Sequence, residues 1–178
     1  MVNDPPTIHA SAVLTGARAV LIRGPAGAGK SRLVLNLIQA ASNGVLTFAR
    51  LVADDRVHVW AAHGRLMARP PAGLAGLLEV RGLGIQRLQH EPMAVVTWVV
   101  DLGVTTPKRM PDSAAAQTII VGVKVHRLEI ARGCDPVPMV LAAITSPQSL
   151  SDAASSPEAA KSGRIAQQST APVHLPGR

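Results

Sequence analysis

The stretch "RGPAGAGKS", residues 23–31, decides how the rest of the chain is read. From Gly24 it spells G-x-x-x-x-G-K-S, the spacing of a loop that wraps a phosphate group. Glycines let the backbone approach an anion closely, so that successive N–H groups can ring it. On this reading Gly24, Pro25, Ala26, Gly27, Ala28, Gly29, Lys30 and Ser31 bind nucleotide phosphates. Lys30 neutralises the outer phosphates and the Ser31 hydroxyl ligates Mg2+. A glycine turn without a ligand is the competing reading, and so complete a match in a lysine-poor chain favours phosphate.

The flanks supply the context that the motif requires. "RAVLIRG" reads as a strand ending at Gly24, and "KSRLVLNLIQAAS" sets Leu33, Leu37, Ile38 and Ala41 on one helical face before an Asn43-Gly44 stop. Upstream, "IHASAVLTG" reads as one short strand. Downstream, "VLTFARLVADD" is a strand ending in Asp54 and Asp55, and "RVHVWAA" alternates up to a hairpin tip at His63-Gly64. "ARPPAGLAGLLEV" begins with a proline turn and moves into a short helix or loop, and "RGLGI" is glycine-rich. "MAVVTWVVDL" is a buried strand capped by Asp101, "AQTIIVGVKVHRLEIA" gives one or two more strands, and "PVPMVLAAIT" gives a closing helix. The expected fold is α/β, a P-loop (Walker A) kinase-like sheet with flanking helices. Additional antiparallel strands are expected from Arg56 to Trp60 and from Gln117 to Ala131. Residues 1–145 form the catalytic domain in this reading. Residues 146–178, rich in Ser, Ala, Pro and Gln, read as a disordered low-complexity tail.

Composition narrows the function. Only 2% of the 178 residues are aromatic, so the core must be aliphatic and platforms for stacked bases are scarce. The net charge of +7 suits anionic partners, but the basic residues are scattered, which argues against nucleic acid. Cys134 is the only cysteine, which excludes a disulfide framework and a cysteine zinc site. The start, "MVNDPPTIHAS", lacks the pattern of a secretory signal, and no apolar run reaches the roughly 20 residues of a membrane helix. A cytoplasmic protein without membrane contact is expected.

Magnesium prefers oxygen ligands, so carboxylates near the loop strand are the next candidates. Asp54 and Asp55 end an apolar strand, where a parallel sheet gathers its ligands. Neighbouring side chains on an extended chain point to opposite sides, so one could face a metal while the other works on the reacting group. Asp101 competes for the metal-side role, and either set could instead take turn hydrogen bonds. Phosphoryl transfer to a hydroxyl also needs a base and a cation, for which His9, Arg81 and Arg109 qualify by type alone. His58 and His63 have no third ligand nearby and form no metal pair.

Four blocks in order, "IHAS", "GPAGAGKS", "LVADD" and "LLEVRGLGI" (Leu77 to Ile85), make the chain resemble the catalytic domain of HPr kinase/phosphorylase. The last block closely matches the family signature and has no generic meaning among P-loop proteins. The resemblance runs over roughly residues 7 to 145 and is that of a short form without the amino-terminal domain of long members. It implies a protein serine kinase that phosphorylates a regulatory serine of HPr, the small phosphocarrier of the phosphotransferase system. The donor would be ATP or pyrophosphate with Mg2+ or Mn2+, and phosphorolysis would also remove the group, yielding pyrophosphate. By position, Ser31 and Glu79 would hold the metal, and Asp54 would be the base, supported by Asp55 and His9. Arg81, Gly82 and Gly84 fall in the signature loop, and Arg109 in "PKRMP" would face the phosphate. Family members are hexamers, which implies a homo-oligomer.

Three departures stand out: Arg32 occupies a position where the family carries an acid, the connection from the loop helix to "LVADD" is longer, and residues 146–178 replace a helical carboxy-terminal region. Two other functions use the same loop: a P-loop kinase of a small molecule, and a nucleotide-dependent regulator that binds a phosphocarrier without transferring phosphate. The absence of an N-K-x-D motif disfavours a GTPase switch.

Overall fold

Short β-branched runs separated by glycine turns dominate residues 4–146, the part of the chain described by this computed structural model. They form β1 (Thr7–His9), β2 (Ser11–Thr15), β3 (Arg18–Arg23), β4 (Ala49–Ala53), β5 (Arg56–Ala62), β6 (Arg65–Arg69), β7 (Leu77–Val80), β8 (Gly84–Arg87), β9 (Ala94–Val104), β10 (Gln117–Ile120) and β11 (Val123–Ala131). Helix α1 (Lys30–Ser42) follows the phosphate loop, and α2 (Val137–Thr145) closes the described part. Residue contacts divide the chain after Ile144. The expected tail lies outside the described residues except for Ser146. None of the described helices is long and apolar enough to cross a membrane.

Nine strands make one mixed sheet, ordered β1-β5-β6-β9-β3-β2-β4, with the β10–β11 hairpin attached through β11 to β9. β9 is the hub. Its first residues pair antiparallel with β6, one edge continues parallel with β11, and the other pairs parallel with β3. A strand enclosed on both edges and both faces must be largely apolar, and in "AVVTWVV" only Thr97 is not.

The expected single strand in "IHASAVLTG" is instead two. Only Ala10 separates β1, which pairs with β5, from β2, which pairs with β3 and β4. Likewise only Asp54 and Asp55 separate β4 from β5. Both short connections join opposite ends of the strand order, so the sheet must curl until its ends meet. The inner face of the curl holds a core of Ala12, Leu21, Val52, Val59, Leu66 and Val99. The opposite face buries Val20, Ile22 and Val100 against Leu33, Val34 and Leu37 of α1 and Val140 of α2. The switch from inner to outer face at consecutive residues of β3 and β9 is the two-residue period of a strand. Each face carries its own aliphatic core.

Three local expectations need correction. "LLEV" is the strand β7 rather than helix or loop, paired with β8 in a separate hairpin that turns at Arg81-Gly82. β4 has an antiparallel neighbour, β2, so Asp54 and Asp55 follow an antiparallel strand and not a parallel one. The Gln117–Ala131 segment is antiparallel within its hairpin, but β11 joins β9 in parallel. Val125 and Ile130 explain the choice: β11 has residues to bury, whereas no residue of β10 is fully buried, so β10 takes the edge.

Asp101 does not cap its strand; β9 runs on to Val104. Arg23 grips its carboxylate with two bonds of 2.7 and 2.8 Å, and Arg127 adds a third of 2.7 Å. These residues stand on three adjacent strands, β3, β9 and β11, so the cluster ties the parallel ladder across its width. With both oxygens taken by guanidinium groups, Asp101 serves the sheet. Burial by itself raises its carboxyl, but the hydrogen bonds and charges of Arg23 and Arg127 outweigh that and hold it below the usual carboxylate range.

Asp101→Asn is therefore expected to cost about 2–3 kcal/mol in urea unfolding, because half-buried Arg23 loses its charge partner and Arg127 keeps only Glu129, 2.8 Å away. A folded-state carboxyl held low stabilises at pH above its unfolded value and loses that stabilisation as pH falls through the lowered one. The gap between wild type and variant should be complete above about pH 5 and shrink below about pH 4. A second expectation concerns Gly24, at φ +148°, where an added Cβ would stand 2.8 Å from the Leu102 carbonyl oxygen. Gly24→Ala should cost about 2–3 kcal/mol, more than the roughly 1–2 kcal/mol of Gly29→Ala. Gly29 has positive φ as well, but a methyl there meets nothing within 4 Å.

Candidate active site

β3 ends at Arg23, and the chain turns through Gly24–Gly29 into α1. Gly24, Gly27 and Gly29 all have positive φ, the conformation that brings successive N–H groups to one side of the turn. Gly29 caps α1 in the left-handed region without any side-chain hydrogen bond, and no acidic residue lies in the first turn. The N–H groups that a Ser or Asp cap would normally satisfy are thus left for an anion, on which the helix dipole also acts favourably.

Lys30 is the first residue of α1 and is buried. Its ammonium donates to the carbonyls of Gly24 at 3.0 Å and Pro25 at 3.1 Å, and to His9 Nε2 at 3.0 Å. Burial weakens its hold on the proton, while the charges of Asp54 and Asp55 oppose that; the net effect is a lowered pKa. Since Nε2 of His9 accepts from the ammonium, its ring proton sits on Nδ1, which donates to the Asp55 carbonyl at 3.1 Å and lies 3.2 Å from the Asp55 carboxylate. Loop, lysine, histidine and Asp55 form one connected chain.

Asp54 is the buried member of the acidic pair, only 4% exposed. Its carboxylate accepts from Ser31 Oγ at 2.9 Å, from Ser11 Oγ at 2.5 Å and from the Glu79 backbone N–H at 3.2 Å. The two aspartates do point apart, as adjacent side chains should. The cause is a corner rather than an extended chain: Asp55 has φ +64°, and the Arg56 N–H bonds the Asp54 carbonyl at 2.8 Å. The corner turns Asp54 inward to Ser31 and leaves Asp55 outside beside His9.

The signature block reaches the same place. Leu78 of β7 is fully buried in the α1-side core and anchors the hairpin. Alternation then puts the Glu79 side chain outside, with its N–H on Asp54. Gly82 and Gly84, at φ +84° and +83°, make the tight turn into β8. Arg81 projects back over the phosphate loop, with Nη2 3.5 Å from where a Cβ on Gly27 would be. Arg109 is different: it sits exposed in the connection between β9 and β10, and among the described residues no hydrogen bond or ion pair joins it to the loop or to Asp54.

For a metal, no cluster of three or more His, Cys, Asp or Glu exists among the described residues. The oxygens that meet at the loop are the Ser31 hydroxyl and the two of the Asp54 carboxylate, while Glu79 brings its backbone N–H there. They are all hard oxygens and too few to cage an ion. That set fits Mg2+, which keeps waters and shares its coordination with substrate phosphates.

On the opposite side of the loop lies a cleft of about 690 Å3. The loop residues Pro25–Gly29 form one wall, and the ends of β9 and β11 with the segment Arg132–Pro136 form the other. Sequence reading missed this cleft, and it missed Ser11. Ser11 lay inside "IHAS" without a role, and its place between Ala10 and Ala12 at the head of an apolar run was the available signal. Gly103, next to the end of β9, and Gly133, just beyond the end of β11, were the signal for the cleft.

Residues 4–91 match the HPr Serine kinase C-terminal domain. HPr kinase/phosphorylase of Clostridium beijerinckii is 40% identical over 78 residues, which are 44% of this chain and 24% of that protein. HPr kinase/phosphorylase of Limosilactobacillus reuteri is 32% identical over 136 residues, 70% of this chain and 40% of that protein. The chain thus spans well under half the length of these curated relatives. The Hpr(Ser) kinase/phosphatase from Coxiella burnetii has the same fold, with a TM-score of 0.64 at 23% identity, covering 83% of this chain and 99% of that one. The matched domain, the relatives and the fold thus agree on the HPr serine kinase C-terminal domain, recognised over residues 4–91.

Proposed function

We propose that the chain is a protein serine kinase that transfers the terminal phosphoryl group of ATP to a serine hydroxyl of an HPr-like phosphocarrier. The observation that supports this most is the convergence on one carboxylate. Asp54 accepts from Ser31 of the phosphate loop, from Ser11 of the "IHAS" block and from the N–H of Glu79 in the signature block. Three separate stretches position a single candidate base beside the place where phosphate would sit.

The residues act as follows. Backbone N–H groups of Gly24–Ser31 and the uncapped start of α1 bind the donor phosphates. Lys30 exchanges the carbonyls of Gly24 and Pro25 for phosphate oxygens, which stabilise its positive charge better than buried carbonyls do. Ser31, with Asp54 or Glu79, would hold Mg2+, and that ion supplies charge neutralisation on the transferred group. Asp54 accepts the proton of the serine hydroxyl as the new O–P bond forms and the bond to ADP breaks, and then releases the proton to water. His9 and Asp55 keep the corner in place, and Arg81 lies where it can meet phosphate charge. In the reverse direction Asp54 would take the proton of an attacking phosphate and return it to the departing serine, releasing pyrophosphate.

The test is an assay with Mg2+-ATP and an HPr-like carrier, with phosphoserine read by mass spectrometry and ATP binding by calorimetry. Asp54→Asn keeps the shape of the acid; it should keep ATP binding while lowering transfer by about 10²- to 10⁴-fold. Lys30→Ala should lose both. Full transfer by Asp54→Asn rejects the base assignment. Tight ATP binding by the wild type without any phosphoserine rejects the phosphocarrier kinase, in favour of a small-molecule kinase or a non-catalytic regulator.

A further inference from the structure

We infer that His9, with Asp55 behind it, is a positioning residue for Lys30: it holds the ammonium where donor phosphates meet it, and so governs donor binding rather than proton transfer at Asp54. The inference rests on the loop being a nucleotide phosphate site, as proposed above. The resemblance sets His9 and Asp55 beside the base, but the Asp54 carboxylate takes its hydrogen bonds from Ser11, Ser31 and the Glu79 N–H. His9 instead meets Lys30, with Nε2 3.0 Å from Nζ.

An ammonium has three protons, and those of Lys30 have three partners: the carbonyls of Gly24 and Pro25 and the His9 ring. The two carbonyls belong to the loop itself, and phosphate oxygens bound there take their place. His9 comes from β1, a separate element, and brings no negative charge for a phosphate to repel. It keeps the third proton while the other two change partners, which fixes Nζ and leaves two N–H groups for the donor. Only one tautomer can do this. Nδ1–H donates to the Asp55 carbonyl at 3.1 Å, with the Asp55 carboxylate 3.2 Å away, so the Nε2 lone pair is left for Lys30. Burial lowers the pKa of Lys30, and an acceptor that stays on the ammonium helps keep it charged.

His9 is itself held in place. β1 is only three residues long and pairs with β5, yet both its flanks are fastened. Ahead of it, Nδ1 of buried His58 donates to the Pro5 carbonyl, and Arg69 donates to Asp4 at 2.6 Å. Behind it, fully buried Ala10 leads into β2. A partner on a fastened strand restrains the lysine before the donor arrives, which lowers the ordering cost of binding.

The experiment compares two substitutions that each keep half of this arrangement. In His9→Asn the amide nitrogen stands where Nδ1 was and can donate to the Asp55 carbonyl, but no acceptor reaches Lys30. In His9→Gln the amide oxygen stands where Nε2 was and can accept from Lys30. Urea unfolding is measured first, to show that both variants fold. Calorimetry then gives Mg2+-ATP affinity, and the phosphoserine assay gives maximal transfer at saturating ATP. His9→Asn should weaken ATP by about three- to tenfold, through one lost hydrogen bond and a lysine that must be ordered on binding. His9→Gln should bind ATP within about twofold of wild type, and maximal transfer should stay within about threefold in both. Equal weakening by the two substitutions overturns the inference, since the role would then not run through Lys30. Unchanged affinity in His9→Asn overturns it as well. So does a fall in maximal transfer of more than about tenfold at unchanged affinity, which is the signature of support for the base. If the wild type binds ATP through Lys30 but phosphorylates no carrier, the affinity comparison still decides, because it needs no acceptor. Absence of ATP binding in the wild type overturns this inference together with the nucleotide reading beneath it.

Discussion

Two residues, Asp54 and Asp55, are all that separate β4 at one end of the strand order from β5 near the other, and the rest of the architecture has to satisfy that connection. A corner this short can be made only if the sheet curls until its ends touch, and only if one residue accepts positive φ, which Asp55 does. The curl creates the inner aliphatic core and leaves the outer face for α1. It also fixes where the corner residues point. Asp54 is driven inward against Ser31 and Ser11, while Asp55 stays at the surface to hold His9. A carboxylate beside a phosphate loop is thus a product of the topology as much as of the motif.

Asp54 and Asp101 are both withdrawn from solvent but differ in partners. Asp101 is saturated by Arg23 and Arg127, full charges that hold it low and bind three strands together. Asp54 is held by two hydroxyls and one N–H, neutral donors that can turn to other acceptors. Permanent ion pairing suits a strut, and exchangeable hydrogen bonding suits a group that takes and gives up a proton. Lys30 follows the second pattern. Its partners are neutral, two carbonyls and an imidazole, and burial makes its charge expensive.

The family match ends at residue 91, before β9, yet β9 pairs with β3, β6 and β11 and carries the whole sheet. The part that matches the family model contains the phosphate loop, Asp54 and the signature hairpin. The part beyond it contributes the ladder that supports them and the far wall of the cleft.

Some of this was legible from residues alone, because it is encoded locally. The loop spacing at Gly24–Ser31, the helical face of Leu33 and Leu37, the stop at Asn43-Gly44 and the hairpin tip at His63-Gly64 depend only on neighbours within one or two turns. The family blocks were legible for the same reason. What the sequence could not decide was which distant segments meet. Ser11 reaches Asp54 across 43 residues, and Arg23 reaches Asp101 across 78, and neither pairing has a periodic signature. The same limit hid the parallel docking of β11, the split of "IHAS" between two ends of the sheet, and the cleft. It also left Arg109 to be placed by resemblance alone, in an exposed connection between β9 and β10. Periodicity and turn chemistry determined the elements and the motif; strand order, which depends on summed burial over the whole sheet, decided which side chains share a site.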